Sequence, residues 1–172
     1  MKQTIDEELL VVDHNDIPTD SMPRSAVLQT GSWHRAAGGI EIDLACGTIL
    51  CHQRSANKDE RPGLWVATFG GKSLKGEIPL ETARRELQEE YGFDRAPSQF
   101  IFFDKYRSPV RHQYEYLYYV CVSQNIAVSP DPNEVNKIEW IHKDIVLTKI
   151  QHERGWFKYG YEMDLIASCF GP

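Results

Sequence analysis

Three glutamates, Glu86, Glu89 and Glu90, lie close together in a segment whose pattern predicts a helix over Pro79–Tyr91. Their spacing of three and four residues puts the carboxylates on one helical face. Because like charges at this spacing repel one another, the segment favours a compensating cation. Arg85 is one candidate, and a divalent ion is the other. Hard carboxylate oxygens favour Mg²⁺ or Mn²⁺ over zinc.

The helix prediction rests on local signals at both ends of the segment. Pro79 suits a first helical turn, and Gly92 suits the left-handed residue that ends a helix. Apolar side chains recur between them at helical spacing, at Leu80, Ala83, Leu87 and Tyr91. The glutamate face lies about 110° around the helix from this stripe. We therefore expect the carboxylates at the edge of the packed surface, facing a cleft or solvent. A solvated face with ordinary ion pairs is the alternative interpretation.

The residues before the helix add a second signal. A loop is predicted over Gly70–Gly76, and its first two glycines allow the backbone to approach a ligand or to aim a carbonyl at a metal. Glu77 follows, where a negative charge favours the helix N-terminus and can pair with a cation. The loop and the glutamate face together predict a metal site.

The spacing of these residues resembles the complete Nudix box, which here covers residues 71–93. Gly71 is followed after five residues by Glu77, and after seven more by Arg85 and Glu86, with Phe93 at the last position. All specified positions of the box are occupied. The resemblance implies an α/β (α+β) fold in which a mixed β-sheet is sandwiched between α-helices. It also implies a hydrolase that uses Mg²⁺ or Mn²⁺ to cleave a small diphosphate-containing substrate, such as a nucleoside diphosphate derivative.

The resemblance further implies roles for individual residues. The metal ligands would be the Gly71 carbonyl and the carboxylates of Glu86, Glu89 and Glu90. Arg85 would orient a glutamate, and Glu77 would brace the loop. The general base would be Glu86 or Glu89 within the box, or Glu115 or Glu134 outside it. Glu134 is slightly preferred among the outside candidates, because a glutamate ahead of a strand with a tryptophan, here Trp140, is frequent in the family.

The flanking sequence resembles the branch of the family close to isopentenyl-diphosphate isomerase. The matching segments are residues 33–36, residues 53–55, Lys58 and residues 62–65. This likeness implies that Arg54 and Lys58 bind the diphosphate, since arginine forks onto phosphate oxygens and lysine supplies a point charge. Two exposed loop cations are the alternative interpretation.

The chain departs from the isomerase where that enzyme requires a catalytic cysteine and a nearby histidine. The corresponding residues 68–72 contain neither, and Lys72 stands where a second metal-binding histidine would accompany His34. We therefore expect hydrolase chemistry on an isomerase-like scaffold. An isomerase-like enzyme and a non-catalytic Nudix-like ligand-binding module are the alternatives.

Composition limits the other possibilities. The 172 residues are 41% hydrophobic and 26% charged, with a formal net charge of −6. We expect one domain over residues 1–172, with an N-terminal extension at about 1–33 and C-terminal helices at about 143–170. The acidic charge disfavours nucleic acid and membrane surfaces as partners, and no apolar run approaches the ~20 residues that span a bilayer. A charged N-terminal segment and four cysteines without a paired motif predict a cytoplasmic protein. The family likeness leaves a homodimer open.

Two further groups of residues have both a functional and a structural interpretation. Cys46, Cys51 and His52 suggest an incomplete zinc site or, more simply, paired strand residues. Five aromatic residues could stack on a nucleobase or fill the core: Tyr106, Tyr114, Tyr116, Trp156 and Tyr159. The core interpretation is favoured for them.

Overall fold

The computed structural model describes residues 6–58, 60–157 and 159–170, over which the chain forms one nine-stranded sheet and four helices. The elements are β1 (Glu8–Val12), β2 (Pro18–Pro23), α1 (Arg24–Thr30), β3 (His34–Asp43), β4 (Thr48–Arg54), β5 (Trp65–Val66), β6 (Phe69–Lys72), α2 (Pro79–Tyr91), β7 (Phe100–Ser108), β8 (Gln113–Cys121), β9 (Val135–His142), α3 (Lys143–His152) and α4 (Glu162–Phe170). The first five residues of the expected N-terminal extension lie outside the described residues.

Strand β3 is the centre of the sheet. It pairs antiparallel with β1, β4 and β6, and parallel with β8. Strand β7 continues the sheet beyond β8, and β9 and β5 continue it beyond β4. The sheet is therefore mixed.

Alternate side chains of β3 enter two different hydrophobic cores. Ala37 packs in the core that includes Leu87 of α2. Ile40 and Ile42 face the other way and pack in the core with residues of α3 and α4, among them Leu165. This alternation is the two-residue period of a strand buried on both faces. The predicted fold, a mixed sheet between helices, is confirmed.

The predicted loop over Gly70–Gly76 is wrong in its first part, because Phe69–Lys72 forms strand β6. The strand pairs with β3 where that strand also carries glycines. A Cβ atom at Gly38 would lie 2.1 Å from the Phe69 carbonyl oxygen. The strand therefore forms because two glycine-containing segments can bring their backbones close together. Neither segment is rich in the β-branched residues that usually indicate a strand in a sequence.

The hairpin of β1 and β2 is fastened to the sheet by a buried carboxylate in its turn. Asp16 accepts hydrogen bonds from Arg35 Nε at 2.6 Å, from Lys105 Nζ at 3.1 Å and from the Tyr116 hydroxyl. These donors come from β3, β7 and β8, so one side chain ties three strands to the N-terminal hairpin. None of the described helices is long and apolar enough to cross a membrane.

Candidate active site

A cleft of about 1070 Å³ runs along the C-terminal half of α2, the short strand β6 and one end of the sheet. Cavities of ~300–1,000 Å³ hold ligands of nucleotide size. Three glutamates of α2 line it, at positions 86, 89 and 90. The cleft therefore contains the residues whose spacing predicted a metal site.

The three carboxylates differ in exposure. Glu90 is buried, the Glu86 side chain is 13% exposed, and the Glu89 side chain is 51% exposed. Glu90 accepts a hydrogen bond from the Gly70 backbone N–H at 3.1 Å. A Cβ atom on Gly71 would lie 2.1 Å from Glu86 Oε1, so only glycine allows this approach. The solvated-face interpretation is wrong for Glu86 and Glu90.

Burial raises the pKa of Glu86 to about 7 and the pKa of Glu90 well above its usual range, and the two charges repel each other. Oxygen donors in this situation suit a hard divalent cation, which would relieve the repulsion. In the described part of the chain, no three His, Cys, Asp or Glu side chains lie close enough together to hold a metal ion. Two of the three carboxylates are instead turned to Arg85.

Arg85 connects the helix face to the loop before it. Its Nη1 donates to Glu86 Oε1 at 2.6 Å and to Glu89 Oε2 at 3.2 Å, while its Nε donates to Glu77 Oε1 at 2.7 Å. Its Nη2 donates to the Lys72 carbonyl at 3.0 Å. One guanidinium thus positions two of the predicted metal ligands against β6.

Glu77 contacts both the loop and the helix. Its carboxylate accepts from the Leu74 N–H and from the Thr82 hydroxyl, at 2.8 and 2.9 Å, as well as from Arg85. Burial by itself would raise the pKa of Glu77, but these hydrogen bonds outweigh it and lower the pKa. The contacts are those that a loop-bracing residue requires.

The predicted diphosphate-binding residues lie on the same cleft. Arg54 donates from Nε to the Glu60 carbonyl, and no described carboxylate forms a salt bridge with it. Lys58 instead forms a salt bridge with Glu134, the outside candidate for the general base. The structure therefore brings Arg54, Lys58 and Glu134 to one wall, with the last two paired to each other.

The opposite wall is the face of the sheet that carries Glu115. This carboxylate accepts hydrogen bonds from Arg111 Nη2 at 3.0 Å and from the Tyr161 hydroxyl at 2.6 Å. Burial raises its pKa, which Arg111 and Tyr161 oppose. His34 and Lys72 lie beside it on the cleft. The second outside candidate for the base thus faces the cleft as well.

Aromatic rings close the cleft near the C-terminal end of the chain. Tyr159 stacks on Tyr161 with ring centroids 5.5 Å apart, and the Arg61 guanidinium lies 3.5 Å from the Phe157 ring centroid. Tyr159 was among the aromatic candidates in the sequence, whereas Tyr161 and Arg61 were not predicted, because no motif marks them. The run of aromatic residues within 156–161 was the available signal.

The other aromatic candidates have structural contacts. Trp156 stacks on Trp65, and the Tyr106 ring packs against the Tyr161 ring. The hydroxyls of Tyr114 and Tyr116 bond to the hairpin turn. The core interpretation therefore fits these four residues better than base stacking.

The cysteines lie away from the cleft. Cys51 is buried in the core beneath α3 and α4, where Cys121 and Cys169 also pack, and Cys46 is exposed in the turn between β3 and β4. His52 is on the opposite face of the sheet, where its ring contacts Tyr91. None of the four cysteines lines the cleft, and they form no zinc site with His52.

Comparisons with known proteins show what the chain is similar to. The family model described as "NUDIX domain" matches residues 32–159. An isopentenyl-diphosphate Delta-isomerase of Serratia proteamaculans is 34% identical over 119 residues, covering 66% of this chain and 65% of the relative, slightly under two thirds of its length. An uncharacterised Nudix hydrolase, orf19 of Rhodococcus erythropolis, is 37% identical over 87 residues, which are 51% of this chain and 47% of the relative.

A solved structure supports the fold alone. The crystal structure of DR0079 from Deinococcus radiodurans superposes with a TM-score of 0.72 at 21% identity, over 96% of this chain and 100% of that chain. The family match covers most of the chain, including all of the cleft residues on α2. The chain therefore belongs to the NUDIX domain family.

Proposed function

We propose that the protein is a Mg²⁺- or Mn²⁺-dependent hydrolase that cleaves a phosphoanhydride bond in a nucleoside diphosphate derivative or a similar small substrate. The observation that carries the proposal is the burial of Glu86 and Glu90 beside Gly70 and Gly71, on a cleft that also presents arginines without a salt bridge to any described carboxylate. A metal-dependent reaction of a diphosphate needs carboxylates that bind the metal ion and cationic side chains that bind the diphosphate. This cleft contains both.

The diphosphate would bind to the arginines of the cleft. Arg54 and Arg61 line it, and neither forms a salt bridge with any described carboxylate. Planar guanidinium groups bind phosphate oxygens in pairs, which fixes orientation as well as charge. Lys58 would add a point charge once the substrate competes with Glu134 for its ammonium.

The metal would be held by the carboxylates of Glu86, Glu89 and Glu90, with the Gly71 carbonyl as a further donor. Such an ion neutralises phosphate oxygens and lowers the pKa of a bound water. Arg85 donates to both Glu86 and Glu89 and also to the Lys72 carbonyl of β6. It would therefore hold the two carboxylates beside this strand. Arg85 is thus a positioning residue in this proposal.

A carboxylate must take the proton from the attacking water. Glu134 is our choice for this role, because it is half-buried, lines the cleft and stands close enough to Lys58 and the glutamate helix to affect them electrostatically. Its Oε1, which is not the oxygen that Lys58 contacts, would accept the proton. Glu115 faces the other wall and is the alternative base.

An isomerase acting on isopentenyl diphosphate is the second candidate, favoured by the name of the relative from Serratia. A hydrogen-bonded carboxylic acid in a cleft, such as Glu115 with Tyr161, suits proton transfer to carbon. The position of the cysteines, all outside the cleft, argues against it. Deuterium incorporation into isopentenyl diphosphate in heavy water would establish this activity.

The proposal is tested by phosphate release from a panel of diphosphate compounds, with and without Mg²⁺. The panel holds nucleoside triphosphates, ADP-ribose, nucleotide sugars, dinucleoside polyphosphates and isopentenyl diphosphate, and an added phosphatase reveals monophosphate products. We expect turnover of one class, only with the metal. Tight binding without turnover, across metals and pH, would instead identify a ligand-binding module.

A further inference from the structure

A buried polar pocket lies on the sheet face opposite α2, beyond the apolar patch that packs against α3 and α4. Strand register places Lys72 beside Ala36, and Ala36 beside Glu115. The pair His34 and Gln113 lies two residues along the same strands. Residues opposite each other in neighbouring strands, and those two apart, share one face. The four polar side chains therefore surround the small side chain of Ala36, and all five residues line the cleft.

The ammonium group of Lys72 has no counter-ion in the described residues. No described carboxylate lies within salt-bridge distance of its Nζ. Glu60 and Glu86 act on Lys72 electrostatically without forming a salt bridge with it. Glu115, which the register places on the other side of Ala36, is held by Arg111 and Tyr161 instead. An unpaired cation in a partly buried place is costly, so the pocket gains from a ligand that presents an oxygen to Lys72.

The imidazole of His34 is also incompletely bonded. The residue is 3% exposed, and its Nδ1 donates to the Ser32 carbonyl at 3.0 Å. Burial lowers the pKa of His34, so the ring is neutral and its Nε2 is a hydrogen-bond acceptor. No described group forms a hydrogen bond of normal geometry with this atom, although the Gln113 side chain acts on the ring. A ligand that donates an O–H or N–H to Nε2 would satisfy it.

We propose that this pocket binds a hydroxylated group, such as a sugar, which the substrate carries next to its diphosphate. Lys72 donates to an oxygen of this group, and His34 Nε2 accepts from one of its hydroxyls. Gln113 and Glu115 offer further partners around the same opening. The inference rests on the proposed function for the presence of the diphosphate, and it names the class of group attached to it.

The pocket discriminates against a hydrocarbon group at this position. An alkenyl chain would cover Lys72 and His34 without bonding to them, and unpaired buried polar groups give strong rejection. The same diphosphate therefore binds well with a sugar attached and poorly with an isoprenoid attached. This is a difference that binding measurements can detect without any turnover.

The test compares two probes, ADP-ribose and isopentenyl diphosphate, by calorimetric titration without divalent metal. The variants are Lys72→Met and, as the matched control, Lys75→Met, since Lys75 is exposed and pairs with Glu8 on the surface. We expect wild type to bind ADP-ribose more tightly. Lys72→Met should weaken ADP-ribose about tenfold or more, without weakening isopentenyl diphosphate. Lys75→Met should change neither affinity.

A second readout locates the ligand. The ¹⁵N resonance of His34 Nε2 should move when ADP-ribose is added to wild type, and should stay in place with isopentenyl diphosphate. Three results would overturn the inference: no binding of ADP-ribose, equal affinity of wild type for both probes, or equal weakening of both by Lys72→Met. The last would make Lys72 a diphosphate contact.

Hydrolysis is scored separately from this binding. A protein that binds ADP-ribose through Lys72 and hydrolyses no diphosphate would contradict the proposed function and leave the pocket standing. If the protein hydrolyses sugar-linked diphosphates and its affinity for them does not depend on Lys72, the sugar-binding role of the pocket is contradicted. The proposed hydrolase activity is then unaffected.

Discussion

At the scale of single residues, Arg85 has the most contacts with the predicted site. It bonds to Glu77, Glu86, Glu89 and the Lys72 carbonyl, so it holds the loop, the helix face and β6 in one arrangement. The resemblance to the Nudix box implied that it orients a glutamate. Its bond to the backbone of β6 could not be predicted, because β6 itself was not.

Replacing Arg85 with lysine should affect both stability and turnover. A lysine keeps the charge but cannot bond in three directions at once. We expect Arg85→Lys to lower the free energy of unfolding by about 2–3 kcal/mol, and to reduce kcat more than it raises KM. Chemical denaturation and steady-state kinetics measure the two effects.

Arg84→Lys is the matched control for this substitution. The neighbouring arginine pairs with Asp94 on the surface, with both side chains at least 32% exposed. Exposed pairs contribute ~0–1 kcal/mol, so stability and kinetics should stay close to wild type. Equal losses in the two variants would show that Arg85 has no special role.

At the scale of elements, the contact between β6 and α2 positions the site. Helix α2 has the predicted bounds, because periodicity and end signals are local. Strand β6 was predicted as a loop, since its glycines signal flexibility when read alone. Only the partner strand, with Gly38 against the Phe69 carbonyl, reveals why they are extended. The burial of Glu86 follows from the same contact and was likewise beyond sequence patterns.

A methyl group at Gly71 tests this contact. It would meet the Glu86 carboxylate, whose nearest oxygen would be 2.1 Å from the new Cβ atom. The flexible glutamate must move away, so Gly71→Ala should lower turnover about tenfold or more with a small change in Tm. Gly155→Ala is the control, because a Cβ there meets nothing within 4 Å. Normal turnover in Gly71→Ala would contradict the placement of Glu86.

At the scale of the whole molecule, a buried glutamate far from the cleft couples stability to pH. Glu41 of β3 is fully buried, neither of its oxygens has a hydrogen-bond partner among the described residues, and Arg95 Nε lies 3.9 Å away. Burial raises the pKa of Glu41 to about 8, which Arg95 opposes. The folded state therefore binds a proton at Glu41 that the unfolded state releases near its ordinary pKa of 4.5.

The stability from this bound proton is fully present below pH 4.5 and is lost as pH rises to about 8. Glu41→Gln cannot titrate, so the free energy of unfolding of wild type should fall relative to this variant by a few kcal/mol between pH 5 and pH 8. Denaturation at several pH values measures the difference. Glu153→Gln, at an exposed position, is the control. Parallel profiles for wild type and Glu41→Gln would show that Glu41 is ionised in the folded protein.

The most direct test of the proposed hydrolase replaces Glu90, the buried carboxylate of α2, with glutamine. Phosphate release is measured against Mg²⁺ concentration for wild type, Glu90→Gln and the control Glu139→Gln, whose side chain is exposed on β9 and pairs with Lys137. We predict metal-dependent turnover in wild type and the control, and a loss of at least about 100-fold in Glu90→Gln with an unchanged far-UV circular dichroism spectrum. Full turnover by Glu90→Gln, or turnover that needs no metal, would contradict the proposal.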